Sequence, residues 1–307
     1  MSLLVVDKPC GLSSFAVVKR LRAMLGKRGE KVGHGGTLDP FASGVLPICM
    51  GEGTKVLPFL LNADKVYEAV VRFGVETDTL DVTGKVVAEY PLRDLGEAAL
   101  QSALPQFRGP IEQVPPMYSA LKRDGQPLYK YARAGVTVER APRQVTIHSL
   151  ELLGFEAPDR ARIHVCCSKG TYIRSLASDL GKQLGVGGHL VELRRTASGP
   201  FRIEQALTLD EMGARLADGR PLPLLSPLQA LAHLPAVTVD QATSRVLACG
   251  QRMAWQAFTG GRELSGPVCA VRELTEGAVL VAVVAQNPDG TVKILRGFAQ
   301  SQRPIGV

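Results

Sequence analysis

At 307 residues the chain has room for one large domain and a small one, since single cores rarely grow beyond roughly 250–300 residues. Hydrophobic residues at 45% and charged residues at 21% exclude a disordered chain. The 36 lysines and arginines outweigh 29 acidic residues, and this net charge of +7 suits a polyanionic partner, because each basic side chain set on a phosphate releases counterions.

No apolar stretch approaches the roughly 18 residues of a membrane span. The run Leu3 to Val6 is too short for the apolar part of a signal peptide, so a cytoplasmic location is expected. The six cysteines (Cys10, Cys49, Cys166, Cys167, Cys249, Cys269) include no C-x-x-C pair, which argues against structural zinc and a disulfide framework. Adjacent Cys166 and Cys167 should point to opposite faces of a strand.

Ser13-Ser14, followed by Val17, Val18, Leu21, Met24 and Leu25, predicts a capped amphipathic helix ending at Gly26. A glycine-rich stretch runs from Gly33 to Gly53, and its apolar segment Gly44 to Met50 fits a buried strand or helix. From Val66 to Gly74 the pattern alternates, putting Tyr67, Ala69, Val71 and Phe73 on one face of a strand. Asp94 to Leu104 reads as a helix.

Residues 110–143 are broken by prolines and glycines and carry Tyr118, Tyr129 and Tyr131 among Lys122, Arg123, Lys130, Arg133, Arg140 and Arg143. A loop this long is expected to be functional or disordered rather than core. Strands are predicted over Gln144 to Phe155 and Ala161 to Ser168, then a helix from Ile173 to Leu184 stopped by Gly185. Prolines cluster between Gly219 and Pro235, a linker by composition. Beyond it, Val268 to Val271, Ala278 to Ala285 and Thr291 to Phe298 predict a small all-β module.

Three constellations could carry chemistry. In Gly33 to Gly44 the glycines let a ligand approach the backbone, and Asp39 before Pro40 is restrained to extended or turn geometry. Such a loop either presents one carboxylate to a cleft or is a tight turn with Asp39 as a helix N-cap. Neither it nor Gly185-Val186-Gly187-Gly188 meets the phosphate-loop or dinucleotide patterns. Arg174 falls in a first helical turn, where the macrodipole disfavours a cation, so it either pairs with a carboxylate or is solvated. Asp78-Thr79-Leu80-Asp81 reads as a polar turn with too few oxygen ligands for calcium.

In unbroken order, the segments DKPCGLSSF, GHGGTLDPFASGVLPICMGEGTKV, KVYEAVVRFGVETDTLDVTG, VPPMYSALKRDGQPLYKYAR, CSKGTYIRSLASDLG and LRRTASGPF resemble the TruB family of tRNA pseudouridine synthases over most of residues 3–210. The insertion at 110–143 resembles the stand-alone bacterial members more than the guide-RNA-dependent ones. The C-terminal segment resembles, more weakly, the small PUA-like β-barrel that binds RNA. The resemblance implies an α+β fold, with a mixed, largely antiparallel sheet flanked by helices as the catalytic domain over 1–232 and the barrel over 233–307.

It also implies isomerisation of uridine 55 in the T-loop of tRNA, breaking C1′–N1 and rejoining C1′ to C5 without metal or organic cofactor. By the same resemblance Asp39 is the catalytic aspartate, acting as nucleophile or as base at the ribose. Arg174 pairs with it, Tyr67 stacks on the target base and assists proton removal at C5, and Tyr172 and Leu193 line the pocket. His34 fills the space opened by base flipping, with Lys55 and Asp81 at the pocket edge. Lys122, Arg123, Lys130 and Arg133, together with Arg20, Arg22, Lys27 and Arg28, are phosphate-contact candidates. The expected partner is the tRNA T-arm, bound by a monomer needing no guide RNA or protein. Two rivals are a tRNA-folding protein without catalysis, which has no need of an Asp39–Arg174 pair, and a glycosidase-like hydrolase, which needs two carboxylates about the bond.

Overall fold

The Leu3–Val6 run forms β1 (Ser2–Lys8), and Ser13 caps α1 (Ser14–Met24) by accepting from the Ala16 N–H. The chain then makes β2 (Val32–His34) and β3 (Ser43–Met50), so the apolar 44–50 run is a strand. This is a computed structural model, describing residues 2–26, 29–275 and 277–298. A 3-10 turn and the short α2 (Leu57–Leu61) lead into β4 (Lys65–Phe73) and the hairpin of β5 (Val75–Thr77) with β6 (Val86–Glu89). Next come α3 (Glu97–Ala103), β7 (Gly109–Gln113), β8 (Lys122–Arg123), β9 (Gln126–Pro127) and α4 (Leu128–Arg133). The long hairpin of β10 (Arg143–Glu156) with β11 (Arg160–Cys167) precedes α5 (Ile173–Gln183), β12 (Gly188–Ser198) and β13 (Phe201–Arg202). Helices α6 (Leu209–Ala217) and α7 (Pro227–Ala230) follow.

One nine-stranded sheet runs β1-β3-β12-β4-β11-β10-β7, with β2 on β3 and β13 on β12. Its ladders are antiparallel except β3 beside β12, which makes the sheet mixed. The period of two sorts its side chains. On β4, Tyr67, Ala69, Val71 and Phe73 enter one core with Leu176, Ala177 and Leu180 of α5. On β1 and β3 both faces are covered, which explains their continuous apolar runs. Leu4, Val6, Leu46 and Ile48 meet Val17, Val18 and Leu21 of α1, while Leu3, Val5, Val45 and Cys49 face a second cluster. Cys167 is buried on β11 and Cys166 only half-buried, as opposite faces require.

Four sequence expectations need correction. The helix expected from Asp94 begins at Glu97, because Asp94 sits at φ +56 in the left-handed region. The 110–143 insertion is not all loop: its start is the edge strand β7, and Gln113, Ser119, Leu128 and Val138 are buried. The proline-rich 219–235 stretch is no free linker. Leu225 exchanges backbone hydrogen bonds with Leu3, and Ala230 and Leu231 are buried.

The C-terminal region is not all-β. It holds β14 (Ala236–Thr238), α8 (Gln241–Ala248), α9 (Trp255–Thr259), β15 (Val268–Leu274), β16 (Gly277–Gln286) and β17 (Val292–Gly297). Among the described residues its strands make one four-stranded sheet, β14-β15-β16-β17, without closure into a barrel among those strands. Among those residues no helix is long and apolar enough to cross a membrane.

Candidate active site

Asp39 lies in the turn between β2 and β3. It caps no helix; its carbonyl instead accepts from the Ala42 N–H. The turn is fastened from several directions. Ser14 at the start of α1 accepts from the Leu38 N–H at 2.8 Å and donates to the Leu38 carbonyl at 3.1 Å. The Pro40 carbonyl accepts from the Gly11 N–H, and Lys8 Nζ reaches it at 3.4 Å while also donating to Pro9 and Leu12. A third of the Asp39 side chain remains open to solvent, on a wall of protein.

Arg174 enters from the first turn of α5, and its Nε lies 2.9 Å from Asp39 Oδ2. The guanidinium also meets Asp81 Oδ2 at 3.3 Å and donates to the carbonyls of Thr79 at 3.0 Å and Tyr118 at 2.8 Å. A buried cation at a helix N-terminus is costly unless paired, and here two carboxylates pair it. Asp81 is itself buried and held by the Thr83 N–H and hydroxyl and the Thr79 hydroxyl. It therefore braces the ion pair from the carboxylate oxygen opposite the one that the turn hydroxyls hold. Burial raises the Asp39 pKa above its ordinary 3.8, and the Arg174 charge opposes that rise.

Tyr67 is buried on β4, directly opposite Arg195 of β12. Burial pushes its hydroxyl pKa up, with the Arg195 cation pulling the other way. Leu193 packs in the same cluster as Tyr67 and Leu38. Tyr172 is the residue before α5, with its backbone held at both ends by the buried Gln113 amide at 2.7 and 3.0 Å. Burial also pushes the Tyr172 hydroxyl pKa up, and the Asp39 charge adds in the same direction at both tyrosines. His34 is half-buried on β2, its pKa lowered by burial and by the Arg195 charge.

The other predicted residues divide. Lys55 is committed elsewhere: it pairs with Glu52, donates to the Gly297 carbonyl at 3.0 Å and lies 5.8 Å from the Phe298 ring centre. Lys122, Arg123, Lys130 and Arg133 are all exposed on the β8–β9 hairpin and α4, with Arg133 over the Tyr129 ring at 5.4 Å. Arg20 is exposed on α1 and Arg22 half-buried, while Lys27 and Arg28 fall outside the described residues. No cluster of three or more His, Cys, Asp or Glu side chains with metal-binding geometry occurs among the described residues.

Sequence reasoning missed three buried cations. Lys8, Lys65 and Arg195 are respectively 0%, 7% and 1% exposed, and burial pulls the two lysine amines down to about 8. The signal was present in the strand period: Lys65 shares the Tyr67 face of β4, and Arg195 the Leu193 face of β12.

The chain matches the model of the TruB family pseudouridylate synthase N-terminal domain over residues 22–173. It matches that of the tRNA pseudouridylate synthase B C-terminal domain over 174–231. It is 54% identical to a tRNA pseudouridine synthase B of Aromatoleum aromaticum, over 82% of this chain and 80% of the relative. It is 50% identical to one of Pseudomonas aeruginosa, over 81% and 82%. Among solved structures, a crystal structure of a Cbf5–Nop10–Gar1 complex superposes with a TM-score of 0.75 at 28% identity, covering 97% of this chain and 85% of that one. An H/ACA ribonucleoprotein bound to a substrate RNA containing 2′-deoxyuridine gives 0.72 at 26% identity, covering 97% and 85%. With the two family models matched in succession over residues 22–231, which include Asp39 and Arg174, and relatives at least half identical over most of both chains, the chain belongs to the TruB family of pseudouridylate synthases.

Proposed function

We propose that Asp39 is the catalytic carboxylate with which this chain, an isomerase acting on tRNA, converts uridine 55 of the T-loop to pseudouridine. The observation that carries the reading is the Arg174 bridge, which sets a buried guanidinium against one partly open carboxylate and opposes the upward push of burial on its pKa. Asp39 acts on the ribose side of the target nucleotide, C1′ parts from N1, the base turns, and C5 joins C1′. The C5 proton is then lost to solvent, with Tyr67 assisting at the base, and N1 takes up a proton in its place. Because the uridine belongs to a folded loop, it must first be flipped out, which costs a few kcal/mol of unstacking. His34 beside β3 fits the role of occupying the vacated space, and Tyr172 and Leu193 that of walls.

Exposed Lys122, Arg123, Lys130 and Arg133 fit phosphate contacts on the T-arm. The catalytic domain is taken as about 1–232. The 233–307 region is taken as a PUA-like module adding an RNA contact, supported by its resemblance in sequence. The protein works as a cytoplasmic monomer without guide RNA; its curated relatives, named as tRNA pseudouridine synthase B, match it over most of its length.

Tritium release from tRNA labelled with 5-³H-uridine tests the reading. Wild type should release tritium, and Asp39→Asn should release none while still retaining tRNA on a filter. Turnover by Asp39→Asn would remove Asp39 from its role. Binding without release by wild type would favour a tRNA-folding protein.

A further inference from the structure

Arg195 is among the largest fully buried side chains of the molecule, yet no carboxylate pairs with it among the described residues. Taking a charge out of water costs several kcal/mol, and an apolar residue of similar volume serves packing alone as well or better. Its guanidinium is spent on carbonyls instead. Nε donates to Val45 of β3 at 2.8 Å, Nη2 to Gly36 at 3.0 Å and Nη1 to Thr37 at 3.4 Å. Gly36 and Thr37 are the residues through which the chain enters the Asp39 turn. Gly36 has φ +132, and a Cβ there would lie 3.5 Å from Arg195 Nη1, so the turn lies close against the guanidinium.

The other side of Arg195 belongs to Tyr67. The two residues are opposed in the β12–β4 ladder and share a face, and the cation favours the ionised form of the phenol. One planar fork thus touches both strands that frame the site and the start of the catalytic turn. A lysine gathers its donors on one atom and cannot reproduce the separated positions from which Nε, Nη1 and Nη2 meet these carbonyls.

We propose that Arg195 is a positioning residue of the isomerisation, fixing the spacing between the Asp39 turn and Tyr67. The proposal rests on the Asp39 reading above. Arg195 is buried and directs its hydrogen bonds to Val45, Gly36 and Thr37 rather than to Asp39, so it acts through the turn and Tyr67. Its loss should slow the chemical step more than it weakens RNA binding, since a misplacement of about 1 Å can cost about 10²-fold in rate.

The test uses full-length Arg195→Lys and Arg195→Met, each alone and combined with Tyr67→Phe. Arg195→Met keeps much of the stem and discards the buried charge, so it reports even where Arg195→Lys fails to fold. Thermal denaturation establishes folding, filter binding gives the Kd for tRNA, and single-turnover tritium release with saturating enzyme gives the rate. We expect Kd within about twofold of wild type, a rate lower by about 10²-fold, and a double variant that loses less than the product of the two single losses.

A folded variant at full rate would overturn the proposal. So would a rate loss matched by an equal loss of binding, or losses that multiply with Tyr67→Phe. If wild type releases no tritium, or Asp39→Asn equals it, the Asp39 reading itself fails. If both controls behave and the Arg195 variants run at wild-type rate, only this inference falls.

Discussion

The ionisation of Asp39 is contested between its surroundings and one neighbour. Burial favours the protonated acid, and Arg174 favours the carboxylate. In the proposed reaction Asp39 acts as the carboxylate, so the acid limb of kcat/KM reports the balance. That limb should lie above the ordinary carboxylate value of 3.8, because burial raises the pKa. Arg174→Lys keeps a cation but cannot span Asp39, Asp81 and the Thr79 and Tyr118 carbonyls together. With the opposing charge displaced, the limb should climb further toward neutral pH while kcat falls; a pH profile of both proteins checks it. A limb left in place would mean that Arg174 does not set the charge of Asp39.

Among the elements, the parallel contact of β3 with β12 is the one most sensitive to a single methyl group. Gly44 sits at φ +106, and a Cβ there would lie 2.2 Å from the Arg195 carbonyl oxygen and 2.7 Å from its nitrogen. Backbone cannot swing aside as a side chain can. Gly44→Ala should therefore cost about 3 kcal/mol or more, adding left-handed strain to forced separation of the strands. Urea denaturation measures the stability loss directly, and an unchanged midpoint would refute it.

Elements with a clean period were legible in advance. The Tyr67 face of β4, the Ser13 cap of α1 and the Gly185 stop after α5 follow from local rules that the structure obeys. The start of α3 was not, because a positive φ at Asp94 leaves no mark in an otherwise helical composition. Nor was the seating of 219–235, where prolines signal a loop even though Leu225 pairs with Leu3. In the site, Asp39 and Arg174 were recognisable through motif order. Lys8, Lys65 and Arg195 were passed over because lysine and arginine are read by default as solvated or phosphate-binding.

Over the whole molecule, the proposed boundary near residue 232 cuts through a shared core. Leu3, Val45, Val56 and Leu60 from the first part pack in one cluster with Cys269, Val271, Leu280 and Phe298 from the second. Lys55 adds a tie by donating to the Gly297 carbonyl. The two parts should therefore melt as one unit, giving a single calorimetric transition. Leu280→Ala should lower that one transition by about 2–5 kcal/mol of stability. Two separate transitions, with only the second moved, would show independent domains.

The fastening of the Asp39 turn has a consequence for synthesis of the chain. Ser14, Gly11 and Lys8 secure its far end, but the near end at Gly36 and Thr37 waits on Arg195, 159 and 158 residues away along the sequence. On the ribosome the carboxylate is therefore made early and armed late. On the proposed reading, a nascent chain that already displays the basic α4 segment can touch RNA before it can modify it, so a stalled or truncated product would occupy its substrate without changing it.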